Sequence, residues 1–197
     1  MARIRDFWLK ASSFPQETTE FRSHPAYSVA LEQLRSLPAV PDLIVELGSG
    51  SGAYLAFVRE SLNAVVIGSD IPSPRLSAAV AAFPDITFEP FDALAMIRRH
   101  KDGRVAFLAM HVFGSLDLEE LKAVLSSIPQ ASTLTFSAVG IPSGAAMLST
   151  PLQDGTFNHN YRRLVSLCGL SVLGWAETAL RSDPSRSRYV GTVTAPA

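Results

Sequence analysis

The residues with the most chemical content fall in one stretch, 43–58 (LIVELGSGSGAYLAFV), and at intervals after it. Glu46 stands two residues before Gly48, and Gly48, Gly50 and Gly52 alternate with Ser49 and Ser51. Glycine accepts positive φ and has no Cβ to hold a ligand away, so such a run lets a ligand lie against the backbone. A helix starting at once after the run aims its positive end and unbonded N–H groups at that ligand. Glu46 narrows the ligand's chemistry. Beside a pyrophosphate a carboxylate repels, and GxGxxG dinucleotide turns usually carry an apolar residue there, whereas a cationic group is attracted. A second acid, Asp70, follows Glu46 by 24 residues, close to the span of one β-α-β unit at which an acid reaches a ribose. Asp92-Ala93, His111 and His159 are the further candidates.

These residues need elements to hold them. Leu43, Ile44 and Val45 form a short apolar run of the kind a parallel strand buried on both faces requires. Helix 53–62 follows the glycines, then strand 64–69 ending in Asp70, helix 74–82, strand 86–89, helix 93–99 and strand 105–110 ending in His111. Asp117 with Glu120 predicts a capping box for helix 117–127. Strand 133–137 comes next. The segment 138–157, with Gly140, Pro142, Gly144, Pro151 and Gly155, reads as a long substrate loop that closes. Residues 158–162 then open a helix through Leu167, ended by Cys168-Gly169. Strands 170–177 and 188–194 form a terminal hairpin, the last one antiparallel. Before the first strand, helix 25–37 begins at Pro25 and covers one face of the sheet. The aromatic segment ahead of it, with Phe7, Trp8, Phe14 and Phe21, reads as a lid, as a contact between the two copies of a homodimer, or as a packed arm. The chain thus divides into an N-terminal helical arm or lid, 1–42, and a catalytic domain, 43–197.

The GxGxG turn with its preceding acid, and the acids in order after it, resemble the motifs of the class I S-adenosylmethionine-dependent methyltransferases. The resemblance implies an α/β, Rossmann-like fold: a seven-stranded sheet of order 3-2-1-4-5-7-6, strand 7 antiparallel, with helices on both faces. It implies S-adenosyl-L-methionine as cofactor, held by Glu46, Gly48, Ser49, Gly50 and Gly52. Asp70 then takes the ribose hydroxyls, Ile71 packs on the adenine, and Asp92 and Ala93 meet the adenine edge. Asp70 has a second reading as a cap of helix 74–82, and Asp92 as the cap of helix 93–99. His111, at the end of a central strand, lies near the transferring methyl or forms a pocket wall. His111 and His159 are the candidate bases if the acceptor must lose a proton. Methyl transfer needs chiefly an acceptor held in line, so a missing catalytic dyad does not count against an enzyme.

Composition limits the alternatives. The 197 residues suit one buried core, with 47% hydrophobic and 18% charged residues against extensive disorder. A net charge of -1 and the absence of any long basic run predict no nucleic-acid partner. The single cysteine, Cys168, and the absence of a signal sequence or membrane-length segment predict a reducing, cytoplasmic setting with no membrane partner. No metal site is expected, since the four histidines lack ligand spacing. The asparagine-proline-proline-aromatic motif used on nucleic-acid or glutamine amino groups is missing after strand 105–110, where the chain reads MHVFGS. The expected function is therefore O- or N-methylation of a small-molecule acceptor. The alternatives are a catalytically idle methyltransferase-like binding protein and, less favoured, a nicotinamide-dependent oxidoreductase.

Overall fold

Strand β1 (Leu43–Leu47) alternates its side chains between two helical layers, and the core divides accordingly. Val45 and Leu47 join a cluster with Phe107, Leu134, Phe136, Met96, Leu121 and Tyr161 on one face. Ile44 joins a second cluster with Leu108, Met110, Leu55, Val58, Ala30 and Leu34 on the other. Glu46, the next residue on the Ile44 side, is the polar exception at the end of that row. The computed structural model describes residues 20–39, 41–180 and 182–196.

The remaining elements follow the expected order. They are α1 (Pro25–Arg35), α2 (Ala53–Leu62), β2 (Val66–Ser69), α3 (Pro74–Ala82), β3 (Thr87–Glu89), α4 (Ala93–Arg99), β4 (Val105–Met110), α5 (Leu118–Ser126) and β5 (Thr133–Gly140), then β6 (Ser149–Pro151), β7 (Phe157–His159), α6 (Tyr161–Leu167), β8 (Ser171–Leu180) and β9 (Asp183–Thr194). The sheet runs β3-β2-β1-β4-β5-β9-β8, parallel through β5 and antiparallel at β9 on both its sides. This is the 3-2-1-4-5-7-6 order, with β8 and β9 as strands 6 and 7. The Asp117–Glu120 capping box closes the start of α5, each side chain taking the other's backbone N–H.

Two stretches differ from expectation. The segment 138–157 is not an open loop: β5 runs on to Gly140, and β6 and β7 pair antiparallel as a two-stranded ribbon. Asn160, fully buried, donates from Nδ2 to the carbonyls of Pro142, Ser143 and Ala145 and so pins the intervening chain. Asn160 is also the N-cap of α6, which begins at Tyr161, so Asn158 and His159 belong to β7 rather than to the helix. Within the expected arm, Phe21 is buried against Tyr27, Tyr54 and Phe57, and α1 contributes Ala26, Ala30, Leu31 and Leu34 to the same core as β1 and β4. Phe7, Trp8 and Phe14 lie outside the described residues. A cavity of about 530 Å³ opens between α1 and the β8–β9 edge, lined by Val29, Gln33, Leu37, Leu173 and Gly174 among others. It shares no residue with the glycine turn.

Candidate functional site

The turn after β1 is built from three left-handed glycines, with φ of 68° at Gly48, 54° at Gly50 and 74° at Gly52. An L side chain is strained in that region, which accounts for the alternation. Two of the three glycines also answer to the protein's own packing. A Cβ on Gly48 would sit 2.4 Å from Val112 Cγ2, and one on Gly52 would sit 2.6 Å from Phe88 Cζ. Val112 follows His111 in the segment after β4 and Phe88 lies in β3, so the turn is packed against side chains from both of these. Ser49 ties it to β2 by donating its N–H to the carbonyl of Ser69 at 2.8 Å.

Asp70 completes the clasp. Its Oδ2 accepts from the Gly50 N–H and its Oδ1 from the Ile71 N–H, each at 2.8 Å. The helix-cap reading of Asp70 is excluded, because Ser73 accepts from the Leu76 N–H and caps α3. Asp92 does cap α4, its Oδ1 accepting from the Ala95 N–H at 2.9 Å, with Ala93 buried behind it. Burial raises the pKa of Asp70 against the lowering effect of its two N–H donors and of Arg75.

Glu46 is 3% exposed, and its Oε2 has no hydrogen-bond partner. Burial, and then the negative charge of Asp70, push its pKa well above the usual carboxylate range. A buried carboxylate of this kind takes a proton unless a cation arrives. Tyr54 on α2 is within electrostatic reach of it, and the phenol donates to the Tyr27 carbonyl at 2.8 Å.

His111 carries φ of 62°, a left-handed conformation uncommon for a residue with a side chain. Its backbone N–H donates to the Ser137 carbonyl at 2.8 Å, fixing it at the mouth of β4 and β5. The ring meets His24 at 5.5 Å and Tyr27 at 5.6 Å, both edge-on. Desolvation, then the positive charges of His24 and Arg188, bring its pKa down to about 4. The lowered pKa favours the uncharged imidazole, and the residue keeps an exposed side. His159 is different. It has no exposed surface, its Nε2 donates to the Leu116 carbonyl at 2.9 Å, and Phe157 and Tyr161 enclose the ring. No acceptor atom has an approach to it, which removes it as the alternative base in this conformation.

The sheet edge thus gathers Glu46, the glycine turn, Asp70, Ile71 and His111, with Asp92 and Ala93 following β3. The sequence reading missed Tyr54, Tyr27 and His24 on the rim, Val112 and Phe88 against the glycines, and Arg188. Only the run of aromatics before Asp42 hinted at the rim. No group of His, Cys, Asp and Glu able to hold a metal ion occurs among the described residues, and none of their helices is long and apolar enough to cross a membrane.

No family model matches the sequence, and no curated protein is similar to it. The folded chain is similar to many solved structures. A S-adenosylmethionine-dependent methyltransferase from Anabaena variabilis is 14% identical, with 94% of this chain and 88% of that one covered and a TM-score of 0.69. The 1,6-didemethyltoxoflavin-N1-methyltransferase of Burkholderia thailandensis, solved with 1,6-didemethyltoxoflavin and S-adenosylhomocysteine, is 11% identical over 99% of this chain and 88% of that one, with a TM-score of 0.68. The [4+2]-cyclase SpnF is 12% identical over 86% and 80%, with a TM-score of 0.67. The chain has the fold of the class I S-adenosylmethionine-dependent methyltransferases.

Proposed function

We propose that the protein is a S-adenosylmethionine-dependent methyltransferase acting on a small-molecule acceptor, through oxygen or nitrogen. The observation that carries the reading is the buried carboxylate of Glu46, whose Oε2 has no hydrogen-bond partner, beside a glycine turn at the carboxyl edge of this sheet. The donor set suits the cofactor: an acid that lacks a counter-ion for an ammonium group, a second acid fixed by two N–H donors, and backbone free of Cβ atoms between them. Glu46 and the turn residues Gly48, Ser49, Gly50 and Gly52 would hold the methionine end, Asp70 the ribose, and Ile71, Asp92 and Ala93 the adenine. When bound, S-adenosylmethionine supplies a methyl group on a sulfonium, an electrophile reactive enough that orientation carries most of the catalysis.

Glu46, whose protonated form burial favours, would ionise on pairing with an ammonium group and give up any proton it held. Asp70 keeps lone pairs available while its two N–H donors fix its plane. His111, neutral and held by its backbone in a strained conformation, takes the proton of an acceptor hydroxyl or amine. On the α1 side Tyr27 packs edge-on against Tyr54, His24 and His111. The test is incubation with methyl-labelled S-adenosylmethionine and pooled phenols, amines and carboxylic acids. Label in an acceptor, lost in His111→Ala but with S-adenosylhomocysteine still bound, supports the reading. No transfer to any pool by a protein that binds S-adenosylhomocysteine would count against it.

One observation favours a second reading. Val112 and Phe88 already fill the space a side chain on Gly48 or Gly52 would take, as a fold kept without its cofactor would allow. Such a binding protein would take up neither S-adenosylhomocysteine nor NAD.

A further inference from the structure

Position on the sheet, rather than proximity in sequence, brings Arg188 to the crevice. In the β5–β9 ladder Ser137 faces Val190 and Val139 faces Arg188, so Arg188 lies on the same face as Val190 and Thr192, the side of the sheet that α1 covers. It stands near the start of β9, which, running antiparallel, is the carboxyl edge of β4 and β5. Its charge acts on the His111 ring. Its Nε is buried without a hydrogen-bond partner, and the guanidinium has no ion pair among the described residues.

The neighbouring cation shows what is missing. Arg186, two residues earlier, has the carboxylates of Asp154 and Asp183 within electrostatic reach. Among the described residues Arg188 has no acid in an ion pair. Glu177 is paired in register with Tyr189, on the opposite face, and is taken up by the N–H and hydroxyl of Ser143. A partly buried guanidinium without a counter-ion is unfavourable by itself and suits an anion brought from outside. Ser137, fully buried with its Oγ unpartnered, is one step back along β5 on that face. The glycine turn is on β1, two strands to the other side of β5, so an anion at Arg188 would not compete for the space beside Glu46.

We propose that Arg188, with Ser137 one step along the same face and the His111 ring within reach of its charge, is the anion-binding element of the acceptor subsite, the rings of His24 and Tyr27 lying against His111. The acceptor class is then a small, flat molecule carrying a carboxylate or phosphate next to the group that is methylated. This rests on the methyltransferase reading for the word acceptor, while the anion subsite is testable apart from it.

Salicylate and phenyl phosphate serve as anionic probes, and salicylamide as the neutral counterpart, in ligand-detected NMR titrations with and without S-adenosylhomocysteine. One of the two anions should bind about tenfold or more tightly than salicylamide, and which of them does so separates a carboxylate site from a phosphate site. Arg188→Gln should abolish the preference and Arg188→Lys should keep part of it, with S-adenosylhomocysteine affinity unchanged in both. The His111 titration gives a second readout: its pKa should rise in Arg188→Gln and on addition of the bound anion. Equal binding of charged and neutral probes, no binding of either anion, a preference that survives Arg188→Gln, or an unmoved His111 pKa in that variant would overturn the proposal. If Arg188→Gln does not fold, the wild-type probe comparison and Arg188→Lys decide. Loss of S-adenosylhomocysteine binding alone would instead count against the cofactor reading.

Discussion

Glu46 is the residue of the site whose carboxyl pKa burial and the neighbouring Asp70 charge raise furthest from the usual carboxylate range, and a cation beside it would lower that pKa again. In the free protein burial and the Asp70 charge favour the protonated form of Glu46 over that of an ordinary carboxylate. Pairing with an ammonium group lowers that pKa, so binding releases the proton and affinity rises with pH between the pKa of the complex and that of the free protein. Calorimetry in buffers of different ionisation enthalpy should find up to one proton released per S-adenosylhomocysteine bound; in Glu46→Gln the release should vanish and affinity fall. Asp70 is tied to Gly50 and Ile71 by N–H donors that both carboxylate and amide oxygens can meet in part. Asp70→Asn should therefore fold with little change in Tm yet bind the ribose more weakly by about 1.5–3 kcal/mol, the scale of a hydrogen bond to a charged group. Equal affinity in Asp70→Asn would make the residue a structural clasp only. At His111 the backbone strain and the chemistry separate. Gly at that position relieves a conformation costing about 1–2 kcal/mol, offset by lost ring packing and chain entropy. His111→Gly should melt within a few degrees of the wild type while turnover drops roughly 10²-fold or more.

At the scale of elements, the turn between β1 and α2 is as much a packing joint as a ligand cradle. Val112, just past the end of β4, and Phe88 of β3 lock it, so substitution there is felt by the fold as well as by any ligand. Gly52→Ala should cost about 1–2 kcal/mol from φ alone, with more from the contact with Phe88, and denaturant melts should show it. A midpoint equal to the wild type would mean that Phe88 moves freely and the joint is loose. The same reasoning makes Gly50→Val a poor probe of binding, since a β-branched residue at φ 54° strains the turn before any ligand is considered. Element types and order were readable because periodicity, caps and turn residues are local: β4 spans the residues expected, and the Asp117–Glu120 box forms. The β6–β7 ribbon was not readable. Its strands are three residues long and are held by each other and by Asn160, contacts that no local pattern of alternation announces.

Across the whole molecule, the parts of the site legible in the sequence are those attached to one β-α-β unit, from Glu46 to Asp70, where spacing alone fixes position. The parts that were not legible come from strand order. Arg188 and His24 lie 77 and 87 residues from His111, and only the return of β9 beside β5 and the laying of α1 across that face bring the three together. His159 shows the converse: its type and its place after a loop suggested a base, whereas its neighbours enclose it. The helix α1 likewise read as a cover and is one, sharing its core with β1, β4 and β9.

Titration calorimetry of the intact chain with S-adenosylhomocysteine, with NAD as control, reads whether the crevice beside Glu46 takes a cationic nucleoside of the S-adenosylmethionine type. We expect one saturable site per chain for S-adenosylhomocysteine, no heat with NAD, and binding that Glu46→Gln and Asp70→Asn both weaken. A folded protein that shows neither heat nor thermal stabilisation with millimolar S-adenosylhomocysteine would contradict it.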